Sequence, residues 1–508
     1  MSFTYSQLFA ASLVSVIVYR LFQRRRRPPL PFPPGPKGLP LIGNLRDLPT
    51  QYQWLNYEKL GQEIGSDIVH LKFLGTHLVV LNSEKAANDL LEKRSSIYSD
   101  RPQLKALTEL LDAGSWVLSL FPYGTKWRTW HKAFYAHLQP SVVHRYHAIE
   151  TKANQQLLCN LLDTPQEFLK HLRQMVGQTS LSIAYGIDVD PRDDPNIALA
   201  DEALQGIYVA QNKGRIFNYV PFFIHFPWWF PGAGFKKDAE THKRKLNQCR
   251  DEPYKAVKRA LEENRATPSI AASMTIDLSE KSTQEETFMA RALPSNIYAG
   301  SIDTTATAVQ SFVLAMVLYP EAQKRAQEEI DSVLGHGHLP GFGDEDALPY
   351  LKAVLYELLR WGPPGPLGIP RRLTEDDVYN GYFFPAGCLV ISNVWAILHD
   401  PATYSEPSKF KPERFLDSTA RAQFPEAAFG FGRRKCPGRA LAWDVVWLAI
   451  ARMLAVFEFL PAKDADGRPA PPAQEFTSQF SSGPMPFECI IRPRSSTARE
   501  AVLALHLD

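Results

Sequence analysis

Cysteine is scarce in this chain of 508 residues: Cys159, Cys249, Cys388, Cys436 and Cys489 are the 5 present, far apart and with no CxxC spacing. That pattern excludes a disulfide framework and a zinc site of paired cysteines, and it places the folded body in a reducing compartment. Excess charge of either sign is also missing. Lys plus Arg number 56 and Asp plus Glu 54, a net of +2, so no global field marks a nucleic-acid binder. No internal repeat recurs, which excludes solenoids and propellers. What is present is apolar mass. With 45% hydrophobic, 11% aromatic and 22% charged residues, the chain can bury a sizeable core and is neither disordered nor fibrous.

The N-terminus reads as a membrane anchor. Phe3 to Phe22 is largely apolar, densest from Leu8 to Tyr19, and is closed by Arg24, Arg25, Arg26 and Arg27. Ser6, Gln7, Ser12, Ser15 and Arg20 interrupt it. About 20 residues at helical rise still span a bilayer, and Arg20 can snorkel towards the headgroups. A cleaved signal peptide would carry its basic cluster before the apolar run and a small-residue cleavage site after it; neither is found. Residues 1–23 are therefore expected to be a transmembrane helix with the four arginines, and everything after them, on the cytoplasmic face. Residues 24–40 join this stop-transfer cluster to a proline-rich hinge, PPLPFPPGPKGLP from Pro28 to Pro40. Proline at that density forbids a helix and favours stiff, extended backbone, a spacer between membrane and body. A proline-rich ligand for a partner module is the competing reading.

The remaining residues, 41–508, read as one large domain, mainly α with a small β-sheet region. Leu71 to Leu81, Cys388 to Ser392 and Phe487 to Ile491 are apolar and β-branched enough for strands. Helical periodicity predicts helices over Ser83–Lys93, Trp127–Leu138, Val143–Leu162, Gln166–Tyr185, Pro294–Leu318, Pro320–Leu334, Tyr350–Trp361 and Arg439–Phe457.

The chemistry points to one cysteine. In Phe429-Gly-Phe-Gly-Arg-Arg-Lys-Cys-Pro-Gly438, Cys436 sits in a glycine-punctuated, basic loop just before an apolar helical run. Gly430, Gly432 and Gly438 permit a tight turn and close approach of backbone to a flat ligand. Arg433, Arg434, Lys435 and the N–H groups of the helix start favour thiolate over thiol. The other four cysteines read as small buried hydrophobes. Elsewhere, Glu357-Leu-Leu-Arg360 sets a carboxylate and a guanidinium on one helix face, three residues apart, a pair that is worth little alone on a surface. Pro294 to Leu318 carries Gly300-Ser-Ile-Asp-Thr-Thr305 in its middle, where serine and threonine can bond back to a carbonyl and open the helix locally.

Together these segments resemble the cytochrome P-450 family. Phe429, Gly432, Arg434, Cys436 and Gly438 match its F-x-x-G-x-R-x-C-x-G cysteine-ligand motif. Glu357 and Arg360 match E-x-x-R, with Arg414 of Pro412-Glu-Arg-Phe415 as the third member. Gly300, Asp303, Thr304 and Thr305 match [AG]-G-x-[DE]-T-[TS], with Ser301 standing where the family usually has glycine. Trp127-Arg-Thr-Trp-His-Lys132 is similar to W-x-x-x-R, but His131 occupies the arginine position. The motifs stand in family order over essentially the whole chain, and the anchor, the hinge and a final hairpin (Ser481 to Arg494) also fit. The stretch from Tyr350 through Ala442 is most similar to fungal secondary-metabolism members.

The resemblance implies a heme b cofactor whose iron is held by the Cys436 thiolate, which favours O–O cleavage. It implies that Phe429 packs near the sulfur and that Gly432 and Gly438 shape the loop. Arg434, Trp127 and Arg371 would hold heme propionates, together with either His131 or Arg128. Thr304 and Asp303 would be catalytic, delivering protons during oxygen activation. Glu357, Arg360 and Arg414 would be structural. Electrons would come from NADPH through a separate NADPH-cytochrome reductase, because the chain has no flavin or nicotinamide domain. The expected location is the endoplasmic reticulum membrane, single-pass.

Leu104, Leu107, Leu110, Leu111, Trp116, Val117, Phe121, Pro366 and Leu367 are expected to line a greasy cavity for a hydrophobic small molecule. Val220 to Phe235, with Trp228 and Trp229 among prolines, fits a loop that dips into the bilayer interface, or buried core. The expected activity is insertion of one oxygen atom of O2 into a terpenoid, sterol, polyketide or indole. Two other functions remain: a heme-thiolate isomerase or dehydratase that needs neither O2 nor reductase, and a non-catalytic membrane heme-binding protein.

Overall fold

The computed structural model describes residues 30–190, 194–214, 217–218, 220–416 and 424–505. The expected anchor over residues 1–23, the arginine cluster and Pro28 lie outside the described residues. From Leu30 onward the proline stretch lies against the body. The Phe383 N–H donates to the Pro31 carbonyl and the His70 N–H to the Pro34 carbonyl. Gly35 passes so close to His70 that a Cβ there would sit 1.8 Å from its carbonyl oxygen.

Helix α1 (Gln53–Ile64) is followed by β1 (Ile68–Phe73) and β2 (Thr76–Leu81). The single strand expected over Leu71–Leu81 is in fact the middle of this hairpin. Leu74 and Gly75 both take positive φ, 47° and 87°, and close a two-residue turn whose twist suits antiparallel strands. Leu74 is apolar, so nothing in its residue type announced the turn. The helix expected over Ser83–Lys93 starts as α at Glu84–Ala87 and widens to a π-helical turn over Asn88–Lys93.

Four helices follow: α2 (Thr125–Leu138), α3 (His147–Asp163), α4 (Phe168–Tyr185) and α5 (Pro195–Lys213). Helix α6 (Phe235–Glu262) leads to the longest helix, α7 (Gln284–Leu318). Helix α7 begins ten residues before the expected start at Pro294. Its true cap is Thr283, whose hydroxyl accepts from the Glu286 N–H while the Glu286 carboxylate accepts from the Thr283 N–H. Pro294 sits in the interior, although proline is commoner in the first turn. The helix is long and apolar enough to cross a membrane, but it is buried on nearly every face and forms the central core helix, packed on α4.

Helices α8 (Pro320–Leu334) and α9 (Pro349–Trp361) precede the short strands β3 (Arg371–Arg372), β4 (Asp377–Tyr379), β5 (Tyr382–Phe384) and β6 (Leu389–Ser392). Strand β6 pairs in parallel with β2, Leu78 opposite Leu389, and antiparallel with β3. Segments far apart in sequence thus meet in one sheet of order β1-β2-β6-β3. The last elements are α10 (Arg439–Val456), β7 (Phe457–Lys463), β8 (Pro469–Ala470), β9 (Cys489–Pro493) and α11 (Ser496–Ala504). The hairpin expected over Ser481–Arg494 is not local: β9 pairs with β7, Phe457 opposite Pro493.

Glu357, Arg360 and Arg414 come together inside this body. Arg360 donates Nε to one Glu357 oxygen at 2.7 Å and Nη2 to the other at 2.8 Å, and Arg414 Nε adds a third bond at 3.0 Å. Glu357 and Arg360 are wholly buried. The remaining Arg360 protons reach the carbonyls of Leu398, Pro407 and Lys409, so the charges are paired and hydrogen-bonded. The group ties α9 to the loop ahead of the cysteine segment. Glu357→Ala strands two buried guanidiniums and is expected to cost roughly 3–5 kcal/mol. An unchanged urea midpoint in that variant would contradict the account.

His70 and His77 meet across the β1–β2 hairpin, Nε2 to Nδ1 at 2.9 Å, with Phe32 stacked on His70. Burial, and secondarily Lys72, push the His70 imidazole down to about 4. The unfolded chain takes up this proton near pH 6.5 and the folded chain does not, so stability from this site is full above that value and falls as pH drops towards 4. Urea midpoints at pH 7 and pH 5 should diverge less in His70→Gln than in the parent; equal divergence would count against His70.

Candidate active site

The cysteine loop is closed by its own backbone: the Cys436 N–H donates to the Phe429 carbonyl at 2.8 Å and the Lys435 N–H to the Gly432 carbonyl at 3.1 Å. Phe429 stacks on Phe424 at the start of the loop. Gly432 has φ 54°, and a Cβ there would sit 2.1 Å from the Leu91 carbonyl oxygen, so the loop docks on the π-helical turn only as glycine. Gly438 is different. A Cβ there would meet only Leu138 Cδ1, at 3.8 Å, so the protein's own packing makes no demand for glycine.

Cys436 is exposed into two recesses, an internal cavity of about 720 Å³ and an outer cleft of about 930 Å³. Dense surrounding protein pushes its thiol up, against the pull of the Gly438 N–H and the Arg439 charge. The basic residues beside the cysteine are engaged elsewhere. Arg433 turns to the Tyr123 hydroxyl and Lys435 to Glu426. Cys159, Cys249 and Cys388 are buried, as packing cysteines.

Three guanidiniums gather at the same cavity. Arg434 donates to the Ser99 and Phe121 carbonyls at 2.8 and 2.7 Å and lies 4.5 Å over the Trp127 ring. Its Nη1 is buried without a hydrogen-bond partner among the described residues. Arg371, on β3, donates to the Phe431 carbonyl. Arg101 donates to the carbonyls of Ser119 and Pro370 at 2.9 and 2.8 Å. Burial first, then the neighbouring Arg434, pushes Arg371 down to about 10; Arg101 is pushed well below its ordinary range by burial, Arg434 and Arg371. Burial also lowers Arg434 to about 10, with Asp100 acting the other way. Three guanidiniums against the partial counter-charge of Asp100 and Glu92 leave an excess of positive charge that fits an anionic ligand.

His131 stacks on Trp127 with centroids 4.5 Å apart and lines the cavity, while Arg128 points outward to Thr125 Oγ1. Burial and Arg434 lower the His131 imidazole, so it meets the cavity neutral. Arg128 does not line the cavity. It lies on the outward face of α2, one residue after the buried Trp127.

Helix α7 brings Gly300, Asp303 and Thr304 to the same cavity. A Cβ on Gly300 would meet nothing within 4 Å. Thr304 Oγ1 donates to the Gly300 carbonyl at 2.9 Å, the back-bonding its residue type suggested. Ser301 Oγ lies 2.9 Å from the Ile297 carbonyl and 2.6 Å from Ser180 Oγ, so its hydroxyl is engaged in tying α7 to α4. Asp303 accepts from Arg173 Nη1 at 3.2 Å and from the Tyr208 hydroxyl. Arg173 Nε in turn donates to Asp201 at 2.7 Å, and Asp201 is half-exposed.

A family model described as Cytochrome P450 matches residues 33–489. The chain belongs to the cytochrome P450 family. It is 38% identical to Cytochrome P450 monooxygenase ple1 of Rhodocybe pseudopiperita, over 94% of this chain and 92% of that one. It is 39% identical to Cytochrome P450 monooxygenase 98 of Postia placenta, over 98% and 97%. Tryptamine 4-monooxygenase of Psilocybe cyanescens is 37% identical, over 97% and 99%. The protein is thus a heme-dependent monooxygenase, an oxidoreductase of a family whose heme iron is ligated by a cysteine thiolate.

The residues of this P450 fit that group. A cysteine faces the cavity, an orphaned guanidinium N–H and two further arginines await anionic groups, and Gly300 and Gly438 leave space that protein does not fill. Of the expected apolar lining, Leu104, Leu107, Trp116, Val117, Pro366 and Leu367 border the cavity. Leu110, Leu111 and Phe121 do not; Phe121, for example, packs edge-on against Trp130 in the core. Sequence reasoning missed Arg101, Arg173 and Tyr208. None stands in a recognisable motif, and each acquires its place only through contacts with segments remote in the chain.

Two outcomes follow for the heme-loaded protein. Ferrous protein under carbon monoxide should absorb at the long-wavelength position typical of thiolate ligation, and Cys436→Ala should abolish that band; a mutant spectrum identical to the parent would remove Cys436 from the ligand role. Arg434→Leu should release heme faster to apomyoglobin, and Arg128→Leu should not. Equal release from both would refute the propionate assignment.

Proposed function

We propose that this P450 is a reductase-dependent, membrane-anchored enzyme that inserts one oxygen atom of O2 into a hydrophobic secondary metabolite such as a terpenoid, sterol, polyketide or indole. One observation carries the reading: Cys436, the arginine cluster, Thr304 and Asp303 open onto a single, mostly apolar cavity of about 720 Å³. In this assignment Cys436 ligates the iron, and Arg434, Arg371, Arg101 and His131 hold the propionates. When bound there, heme supplies the redox centre that activates oxygen.

The chain's own residues manage protons and water. Asp303, at the cavity edge, is the carboxylate that takes up and passes on a proton; Arg173, a permanent cation with no acceptor, and Tyr208 hold it in place, and Arg173 also pairs with the half-exposed Asp201. Thr304 bonds back to its helix through its hydroxyl proton, which leaves its oxygen free to accept from a water or ligand in the cavity. The greasy lining orients a substrate by shape and excludes bulk water.

The location assigned to this body is the cytoplasmic face of the endoplasmic reticulum membrane, with residues 1–23 as the single span. Phe222, Trp228 and Trp229 are exposed, which supports a second contact with the bilayer interface. Electrons come from NADPH through a separate NADPH-cytochrome reductase.

Binding spectra against terpenes, sterols, fatty acids and indoles, tryptamine included, give the substrate class. With a ligand so found, product should require reductase, NADPH and O2 together. Turnover without them would convert the reading to an isomerase or dehydratase, and no product under any reducing system would make the protein a heme carrier. Asp303→Asn is expected to lower the rate by about 10²-fold with the ligand-binding spectrum unchanged; full activity in that variant would exclude the relay.

A further inference from the structure

Helix α10 carries a second set of ligand atoms eight residues beyond Cys436. Asp444 there faces the first turn of α3, where His147 and Glu150, three residues apart, share one helix face. The imidazole of His147 and the carboxyls of Glu150 and Asp444 each offer an atom within 4.8 Å of the others. His147 Nε2 lies 3.5 Å from an Asp444 oxygen, and Phe342 stacks on the His147 ring with centroids 3.6 Å apart, which fixes its plane.

The independent sign of a missing ligand is Glu150. It is 2% exposed, and neither carboxyl oxygen has a hydrogen-bond partner among the described residues. Asn154, one turn further on the same face, is 1% exposed and equally unpartnered at both amide atoms. Buried polar groups in native proteins are almost always satisfied, so an unpartnered pair beside two more donors asks for an occupant. Burial, then Asp444, pushes Glu150 up to about 9; burial, then Glu345, raises Asp444 to about 7. Both are eased by a cation. Glu345 itself is engaged by Lys352 at 3.2 Å and by Trp443 Nε1 at 3.1 Å. His147 and Asp444 border the outer cleft of about 930 Å³, which gives an ion a way in.

We propose that His147, Glu150 and Asp444 form a binding site for a divalent transition-metal cation of the zinc class. One imidazole nitrogen and two carboxylates neutralise a charge of +2, and a nitrogen donor selects zinc over the oxygen-seeking calcium and magnesium. Binding displaces the carboxyl protons to solvent, and water from the cleft completes the coordination. The ion joins α3 to α10, the helix that starts at the cysteine loop, and so braces that loop from outside the heme cavity. The site does not depend on the reading of the heme chemistry.

The test uses heme-loaded full-length protein, stripped with chelator and dialysed against micromolar ZnCl2, with zinc counted against heme iron by mass spectrometry. One zinc per chain is expected, with a raised thermal midpoint. Glu150→Gln and Asp444→Asn keep the shape of the site and should bind more than about tenfold more weakly, with no thermal shift. The carbon monoxide band reports the heme site separately in every sample. No retained zinc in the parent, or equal retention in parent and both variants, overturns the proposal; preference for calcium over zinc overturns the metal class.

Discussion

Three arginines that repel one another are held at one wall of a cavity, and the architecture around them has to keep them there. Arg101 follows the π-helical turn, Arg371 lies on β3 and Arg434 on the cysteine loop, so three distant parts of the chain converge. Each is fixed by backbone carbonyls, which fix direction but supply no full negative charge. The resulting field is an anion site assembled before its ligand, as preorganised electrostatics require. The close approach of Gly432 to Leu91 and the parallel pairing of β2 with β6 are the contacts that maintain it.

Beside the apolar space runs a short chain of charged groups. Asp303, Arg173 and Asp201 alternate in charge from cavity to surface, with Tyr208 closing the inner end. Alternation lets each ion be solvated by its neighbour where water is excluded. Ser301, in the place of the usual glycine, is turned into a tether between α7 and α4 rather than an obstacle in the cavity. Helix α7 runs unbroken through Gly300 and is anchored to α4 one residue later.

The two buried charge clusters can be set side by side. Glu357 and nearby backbone carbonyls together satisfy Arg360 and Arg414, and that group is a closed structural clamp. Glu150, in contrast, is enclosed and has no hydrogen-bond partner among the described residues. The difference between a completed and an incomplete set of partners is what separates architecture from a site.

The cysteine loop, the Glu-Leu-Leu-Arg pair and the Gly-Ser-Ile-Asp-Thr-Thr segment were legible in the residues, because each is a local pattern whose spacing already places side chains on one face or one turn. Helical periodicity found α2, α3, α4, α8, α9 and α10 for the same reason, since a 3.6-residue repeat needs no partner to be seen. The β1–β2 turn at Leu74, the early start of α7 at Thr283 and the pairing of β9 with β7 were not legible. There, a positive φ on leucine, a proline tolerated within a helix and a strand partner some thirty residues away are decided by packing. The sequence by itself determined the chemistry, because a ligand-bearing loop is contiguous. Only the tertiary structure put His131 and not Arg128 at the cavity, joined Arg101, Arg173 and Tyr208 to the site residues, and brought His147 and Glu150 to Asp444, because burial and charge proximity exist only between segments that folding has joined.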